Sequence, residues 1–232
     1  MGEYLKSALQ SLRHNGVLRT LQRGFQRAIP SWVFNINTLI TVETSLRAIM
    51  ADWEGEPPNP TLRHRWATEA DMDHLTPGGF TVEEIRTFFR NGGRVAITTK
   101  DGNPVGYFWL FPRTNIFNGW IQLTVAPDEI VGGHIFVAPE FRGERWFREI
   151  RRFVFPQLID EGYERMLGFI AALNRSSLRA GSSAERRNVG RVFYIRILGL
   201  IIHRVGGKWG AGFWRERRPL PVSSDDLREP HT

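Results

Sequence analysis

The chain has 232 residues, 41% of them hydrophobic and 12% aromatic, enough for one large or two small folded domains and too apolar for global disorder. It contains no cysteine, which excludes disulfides, thiolate metal sites and a cysteine nucleophile. A formal charge of +7 points to anionic partners, whether nucleic acid, a membrane face or a polyphosphate.

Residues 1–30 carry Lys6, Arg13, Arg19, Arg23 and Arg27 against a single acid, Glu3. Leu5, Leu9, Leu12, Leu18, Leu21 and Phe25 recur at helical spacing around a break at Asn15-Gly16. The pattern predicts two short basic amphipathic helices, which either pack on the main domain or lie on an anionic membrane surface. No apolar run reaches the roughly 18 residues of a membrane-spanning helix. Trp32–Thr44 is rich in branched residues and reads as a strand. The prolines of Glu54–Pro60 mark a linker. These breaks divide the chain into an extension over 1–60, a main domain over 61–218 and a tail from 219 to 232 that is expected to fray.

In the main domain, Leu62–Trp66 predicts a short strand. Thr68 and Thr81 each offer a helix start, and Thr81-Val82-Glu83-Glu84 has capping-box spacing. Asn91-Gly92-Gly93 ends the second helix. Arg94–Thr99 and Pro104–Phe111 form strands around Asp101-Gly102, a strong hairpin signal. Pro112–Asp128 is either a second hairpin turning at Asn118-Gly119 or a long loop.

The stretch Val137–Ile150, VAPEFRGERWFREI, organises the rest of the domain. An apolar run ends at Pro139, an Arg-Gly pair comes next, and Trp146, Ile150, Phe153, Val154 and Leu158 then recur at helical spacing. This is a strand–turn–helix unit whose helix start directs unpaired N–H groups at whatever lies above the turn, a setting that attracts anions. Pro156 is expected to kink or end the helix. Arg165–Leu173 predicts a strand, Asn174–Arg187 a helix, Val189–Val205 one long or two broken strands, and Lys208–Trp214 a last strand.

The same stretch resembles the GNAT superfamily of N-acyltransferases, in which a strand ending in V-x-P is followed by R-G-x-G-x-G/A. Val137, Pro139, Arg142 and Gly143 match that pattern, while Arg145 and Phe147 stand where the family has small residues. The order of elements from Leu62 is also the GNAT order, over about two thirds of the chain. The resemblance implies an α/β fold, a central mixed sheet with helices on both faces. It further implies acetyl-CoA or another acyl-CoA as donor, its pyrophosphate held by N–H groups of Gly143, Glu144, Arg145, Trp146 and Phe147, with Arg142 adding charge. Backbone amides at Phe136 and Val137 would polarise the thioester carbonyl. Asn174 and Ser177 match the family's N-x-x-S position, which contacts the pantetheine arm, although Asn174 also reads as a helix N-cap. The tyrosine that the family places four residues later is Gly181 here, so the general acid has to come from elsewhere, with Tyr194 as a candidate.

For the acceptor, an amine needs a base. His134, Glu129 and Asp128 lie just upstream of the strand end, and His134 has the most suitable unperturbed pKa. The histidines show no ligand spacing, so no metal is expected. The resemblance implies an N-acyltransferase acting on a primary amine by direct attack in a ternary complex. Two alternatives stay open: a non-catalytic module of the same fold, and transfer from an acyl carrier protein at a membrane surface. A cytoplasmic protein is the expected setting, with a peripheral place at the inner membrane face and a homodimer both left open. Aromatics interleaved with arginines from Arg186 to Arg218 could stack nucleic-acid bases, but strand residues facing a core account for them more simply, so nucleic acid is not the expected partner.

Overall fold

The computed structural model describes residues 33–53, 55, 57–117, 121–142, 146–174, 177–178, 186–213 and 220–228. The chain divides into two compact units, Glu43–Gly168 and the pair of segments Met1–Val42 and Phe169–Thr232. The first strand, β1 (Phe34–Ser45), passes from one unit into the other.

In the Glu43–Gly168 unit, helix α1 (Leu46–Ala51) starts where the Ser45 hydroxyl accepts the Ala48 N–H. Strands β2 (Leu62–Trp66), β3 (Arg94–Lys100) and β4 (Asn103–Phe111) come next, with antiparallel pairing. The turn between β3 and β4 is Asp101-Gly102, with φ of 51° and 80°. Positive φ at both positions is the hairpin geometry that an Asp-Gly pair favours. Between β2 and β3 lie α2 (Met72–Leu75) and α3 (Val82–Arg90). The predicted capping box at Thr81 forms in both directions, Thr81 N–H donating to Glu84 and Glu84 N–H to the Thr81 hydroxyl.

The ambiguous stretch after β4 is a hairpin, β5 (Thr114–Phe117) and β6 (Ile121–Thr124), with Phe117 opposite Ile121. Strand β7 (Glu129–Val137) then pairs antiparallel with β4 and parallel with β8 (Arg165–Ala171). Strand order in this unit is β8–β7–β4–β3–β2, a mixed sheet.

Helix α4 (Trp146–Asp160) covers one face of that sheet. Its Ile150, Val154, Phe155 and Leu158 are fully buried, clustered with Phe108, Leu110, Ile130 and Met166. Each such side chain is worth about 1.5–3 kcal/mol of burial. That anchoring explains why the helix runs on through Pro156, against the expectation of a break: Val154, Phe155 and Leu158 hold both sides of the proline, and the Gln157 side chain donates to the Phe153 carbonyl at 2.7 Å. On the opposite face α3 inserts Ile85, and Phe88 meets Trp109 and Phe111 edge-on. Residues 53, 57 and 59 are pinned to α4, since the Asn59 N–H donates to Glu149 and Arg152 donates to the Pro57 and Trp53 carbonyls.

In the other unit β9 (Arg186–Ile197), β10 (Leu200–Val205) and β11 (Lys208–Phe213) form an antiparallel meander. Of the two expected arrangements, one long strand or two broken ones, the second forms, with the break at Leu198-Gly199, both with positive φ. The tail does not fray over its described residues. Strand β12 (Leu220–Ser223) leads into helix α5 (Ser224–Leu227), whose N-terminus is closed by a Ser223–Asp226 capping box, with Leu227 buried. The amphipathic reading of residues 1–30 and most of the predicted helix over 174–187 lie outside the described residues.

Candidate active site

The register of β7 defines the site. Its ladder with β8 runs from Glu129 opposite Arg165 to Gly132 opposite Gly168. Within this unit Gly133–Val137 extend beyond that rung, while on the other side β7 stays paired with β4 as far as Val137 opposite Gly106. The Ala138 N–H donates to the Val105 carbonyl at 2.8 Å. In an antiparallel ladder, residues alternate between exchanging hydrogen bonds with the partner strand and pointing their amides away from it. Counting back from Ala138, the Phe136 amide faces Tyr107 within the ladder, and the amides of Val137 and Ile135 face outward along the edge beyond the last β8 rung. Of the two amides expected to polarise the thioester, Val137 is presented to that edge. Ile135 joins it, and only the register reveals this.

Between Ile135 and Gly133 the register with β4 shifts, and His134 is the extra residue, with φ of 43°. This bulge turns its imidazole into an aromatic enclosure. Phe88 stacks on it at 5.1 Å and 14°, Phe80 meets it edge-on at 4.6 Å, and Phe111 lies at 6.0 Å. Its Nε2 is buried and has no hydrogen-bond partner. Burial lowers the pKa of His134 to about 4, partly offset by the charge of Glu84, so the ring is neutral at physiological pH.

Glu129 stands at the opposite end of β7, eight residues from Val137, or ~26 Å along an extended strand. It is completely buried, accepts the Ala126 N–H and lies 3.6 Å from Arg165, which also binds Asp128 at 2.6 Å. Glu129 and His134 are therefore not brought together. Tyr194 is buried on β9, in the other unit. Asn174 and Ser177 also belong to that unit, where they form a local cap: the Asn174 amide donates to the Ser177 hydroxyl, and the Asn174 carbonyl accepts the Leu178 N–H. The structure thus gives Asn174 the N-cap geometry.

After β7 the chain makes a 3-10 turn, Pro139–Phe141, and the Arg142 Nε donates to the outward-facing Val137 carbonyl at 3.3 Å. Gly143, Glu144 and Arg145 lie outside the described residues. Trp146 and Phe147 begin α4, so their N–H groups have no partner within the helix. The Phe147 side chain turns into the core, edge-on to Phe108 at 5.3 Å and beneath the Arg151 guanidinium at 4.0 Å. Trp146 is buried against Gly106, where any Cβ would strike the Phe136 carbonyl and the indole. Glycine at 106 lets β4, β7 and the start of α4 approach closely.

The sequence carries no signal for Tyr107. It is stacked on Phe136 at 5.4 Å, and burial pushes its pKa up to about 12, leaving a hydroxyl that stays protonated. Among the described residues no cluster of His, Asp or Glu could hold a metal, and no helix is long and apolar enough to cross a membrane.

No family model matches the sequence, and no curated protein matches it. Among solved structures, the chain is similar to a Drosophila protein (12% identity, TM-score 0.50, covering 78% of this chain and 58% of that one). It is also similar to a Novosphingobium aromaticivorans protein assigned to the GNAT acetyltransferases (16% identity, TM-score 0.46, covering 70% and 65%). A third is the aminoglycoside acetyltransferase AAC(6')-Iy bound to a bisubstrate analogue containing CoA (18% identity, TM-score 0.40, covering 54% and 93%). The chain spans less than two thirds of the length of the first two. Its structural neighbours include GNAT acetyltransferases, and at these identities the likeness is one of fold, a mixed sheet flanked by helices.

Proposed function

We propose that the protein is an N-acyltransferase that moves an acetyl or other short acyl group from acyl-CoA to a primary amine within a ternary complex. The observation that carries this reading is the edge of β7 beyond Gly132, where Ile135 and Val137 turn their amides away from β4. An extended amide-containing arm can add to such an edge as a strand would. The first N–H groups of α4 supply donors for a pyrophosphate, and by the family resemblance Arg142, Gly143, Glu144 and Arg145 would add to them. Phe147, turned into the core, leaves that helix start unobstructed by its own ring.

In the reaction, a neutral amine attacks the thioester carbonyl, a C–N bond forms, the C–S bond breaks, and the amine proton is lost as the thiolate gains one. The outward amides of Ile135 and Val137 stabilise charge developing on the carbonyl oxygen. His134, neutral and with an unpartnered Nε2, accepts the proton of the attacking nitrogen once the C–N bond has formed and made that proton acidic. Its low basicity makes it a poor acceptor from a free alkylammonium ion, so the acceptor binds as the neutral amine.

The test is calorimetric titration with acetyl-CoA, followed by thiol release with a panel of amines. Saturable donor binding and amine-dependent release are expected. No binding at millimolar donor, or binding without acylation of any amine, would overturn the reading.

A further inference from the structure

One face of the β9–β10–β11 meander is apolar and open. The register places Ile197 opposite Leu200 opposite Phe213, Ile195 opposite Ile202 opposite Ala211, and Phe193 opposite Arg204 opposite Trp209. Alternation therefore puts all nine on one face, with Val192, Tyr194, Ile201 and Val205 buried on the other. Phe213 is 73% exposed, Trp209 64% and Ile197 45%, and Leu198, at the tip of the hairpin, is 72% exposed. Contiguous exposed apolar side chains of this size mark an interaction surface rather than ordinary scatter.

We infer that this face docks on an anionic lipid bilayer. Two observations select that occupant. The first is charge. The unit that carries the face holds seventeen of the 31 basic residues and only six of the 24 acidic ones, and Glu43–Gly168 is correspondingly acidic. From Arg186 to Phe213 there are six basic residues and no acid. The second is polarity along the strands. Ile197, Leu198, Leu200 and Phe213 gather at one end with no charge on their face. Arg204 and Trp209 pair four residues away, ~13 Å along the strand, with the Arg204 guanidinium 5.9 Å from the indole centroid. Arg191 continues this face at that cationic end. An apolar tip ahead of a tryptophan–arginine belt matches the order of acyl chains and anionic headgroups in a bilayer. Base stacking would gain nothing from Ile195, Ile197, Leu198, Leu200 and Ile202, which argues against nucleic acid. The inference does not depend on acyl transfer.

The test is sedimentation of the full chain with vesicles of phosphatidylcholine alone and of phosphatidylcholine mixed with phosphatidylglycerol. Binding to the mixed vesicles that weakens with salt is expected. Leu198→Ser with Phe213→Ser should lower it at least about tenfold, and Arg191→Gln with Arg204→Gln on the order of tenfold with a shallower salt dependence. These side chains are exposed, so thermal midpoints should not move. Three results would overturn the inference: mixed-vesicle binding unchanged in both pairs, which would place the contact elsewhere in the chain; no vesicle binding together with a dimer abolished by Leu198→Ser with Phe213→Ser; or single-stranded oligonucleotide binding without vesicle binding.

Discussion

The imidazole of His134 lies nearly parallel to the ring of Phe88, with centroids 5.1 Å apart and planes 14° from parallel. The bulge in β7 makes this stacking, and with Phe80 edge-on it leaves a neutral ring whose Nε2 has no partner. A buried polar atom without a partner costs stability, on the order of 1–3 kcal/mol, so a ligand that donates to it recovers that loss.

His134→Ala should reduce acyl transfer on the order of a hundredfold, with little change in donor affinity. With rates referred to the concentration of neutral amine, the acid limb of the wild-type profile should fall near pH 4 rather than near 6.5, because burial holds the imidazole neutral down to that pH. Initial rates against pH check both statements.

The same shift couples to stability. Between pH 6.5 and about 4 the unfolded chain binds a proton at His134 that the folded chain does not, so stability is full above 6.5 and falls as the pH drops through this window. The loss at His134 is roughly 3 kcal/mol. His134→Phe should make this slope shallower in denaturant titrations at a series of pH values, the remainder coming from His64 and His203, whose burial also lowers their pKa.

Glu149 is buried beside Arg152 at 3.5 Å and accepts the Asn59 N–H at 3.0 Å. Glu149→Ala removes a buried carboxylate beside the guanidinium and the acceptor of the Asn59 N–H. A loss of about 3 kcal/mol is expected, measured by urea unfolding.

Gly106→Ala would drive a methyl group into the Phe136 carbonyl and the Trp146 indole. About 1–3 kcal/mol of stability should be lost, with donor affinity falling alongside because β7 and the start of α4 must separate. Thermal unfolding and donor titration on the same sample check the pair of effects.

Features set by neighbours along the chain are legible in the amino-acid sequence alone. The capping box at Thr81, the Asp101-Gly102 hairpin and the strand–turn–helix around Pro139 each depend on a few adjacent residues. Features set by distant partners are not. The bulge that aims His134 depends on how β4 aligns with β7, and nothing within Gly132-Gly133-His134 announces it. The same register decides that Val137 and Ile135, rather than Phe136, present amides to the edge. Pro156 is tolerated because Val154, Phe155 and Leu158 are buried against other elements. The tail departs from expectation for another reason: Ser223-Ser224-Asp225-Asp226 carries a local capping signal, but its helix has only four residues, too few for periodicity to show.

The central claim, that the donor lies along the outward edge of β7, is tested most directly by NMR of backbone amides in the isotope-labelled protein as acetyl-CoA is added. The amides of Ile135 and Val137 should shift strongly and saturably, with Phe136, held in the ladder opposite Tyr107, shifting least of the three. Shifts confined to other surfaces, or none at saturating donor, would contradict the claim.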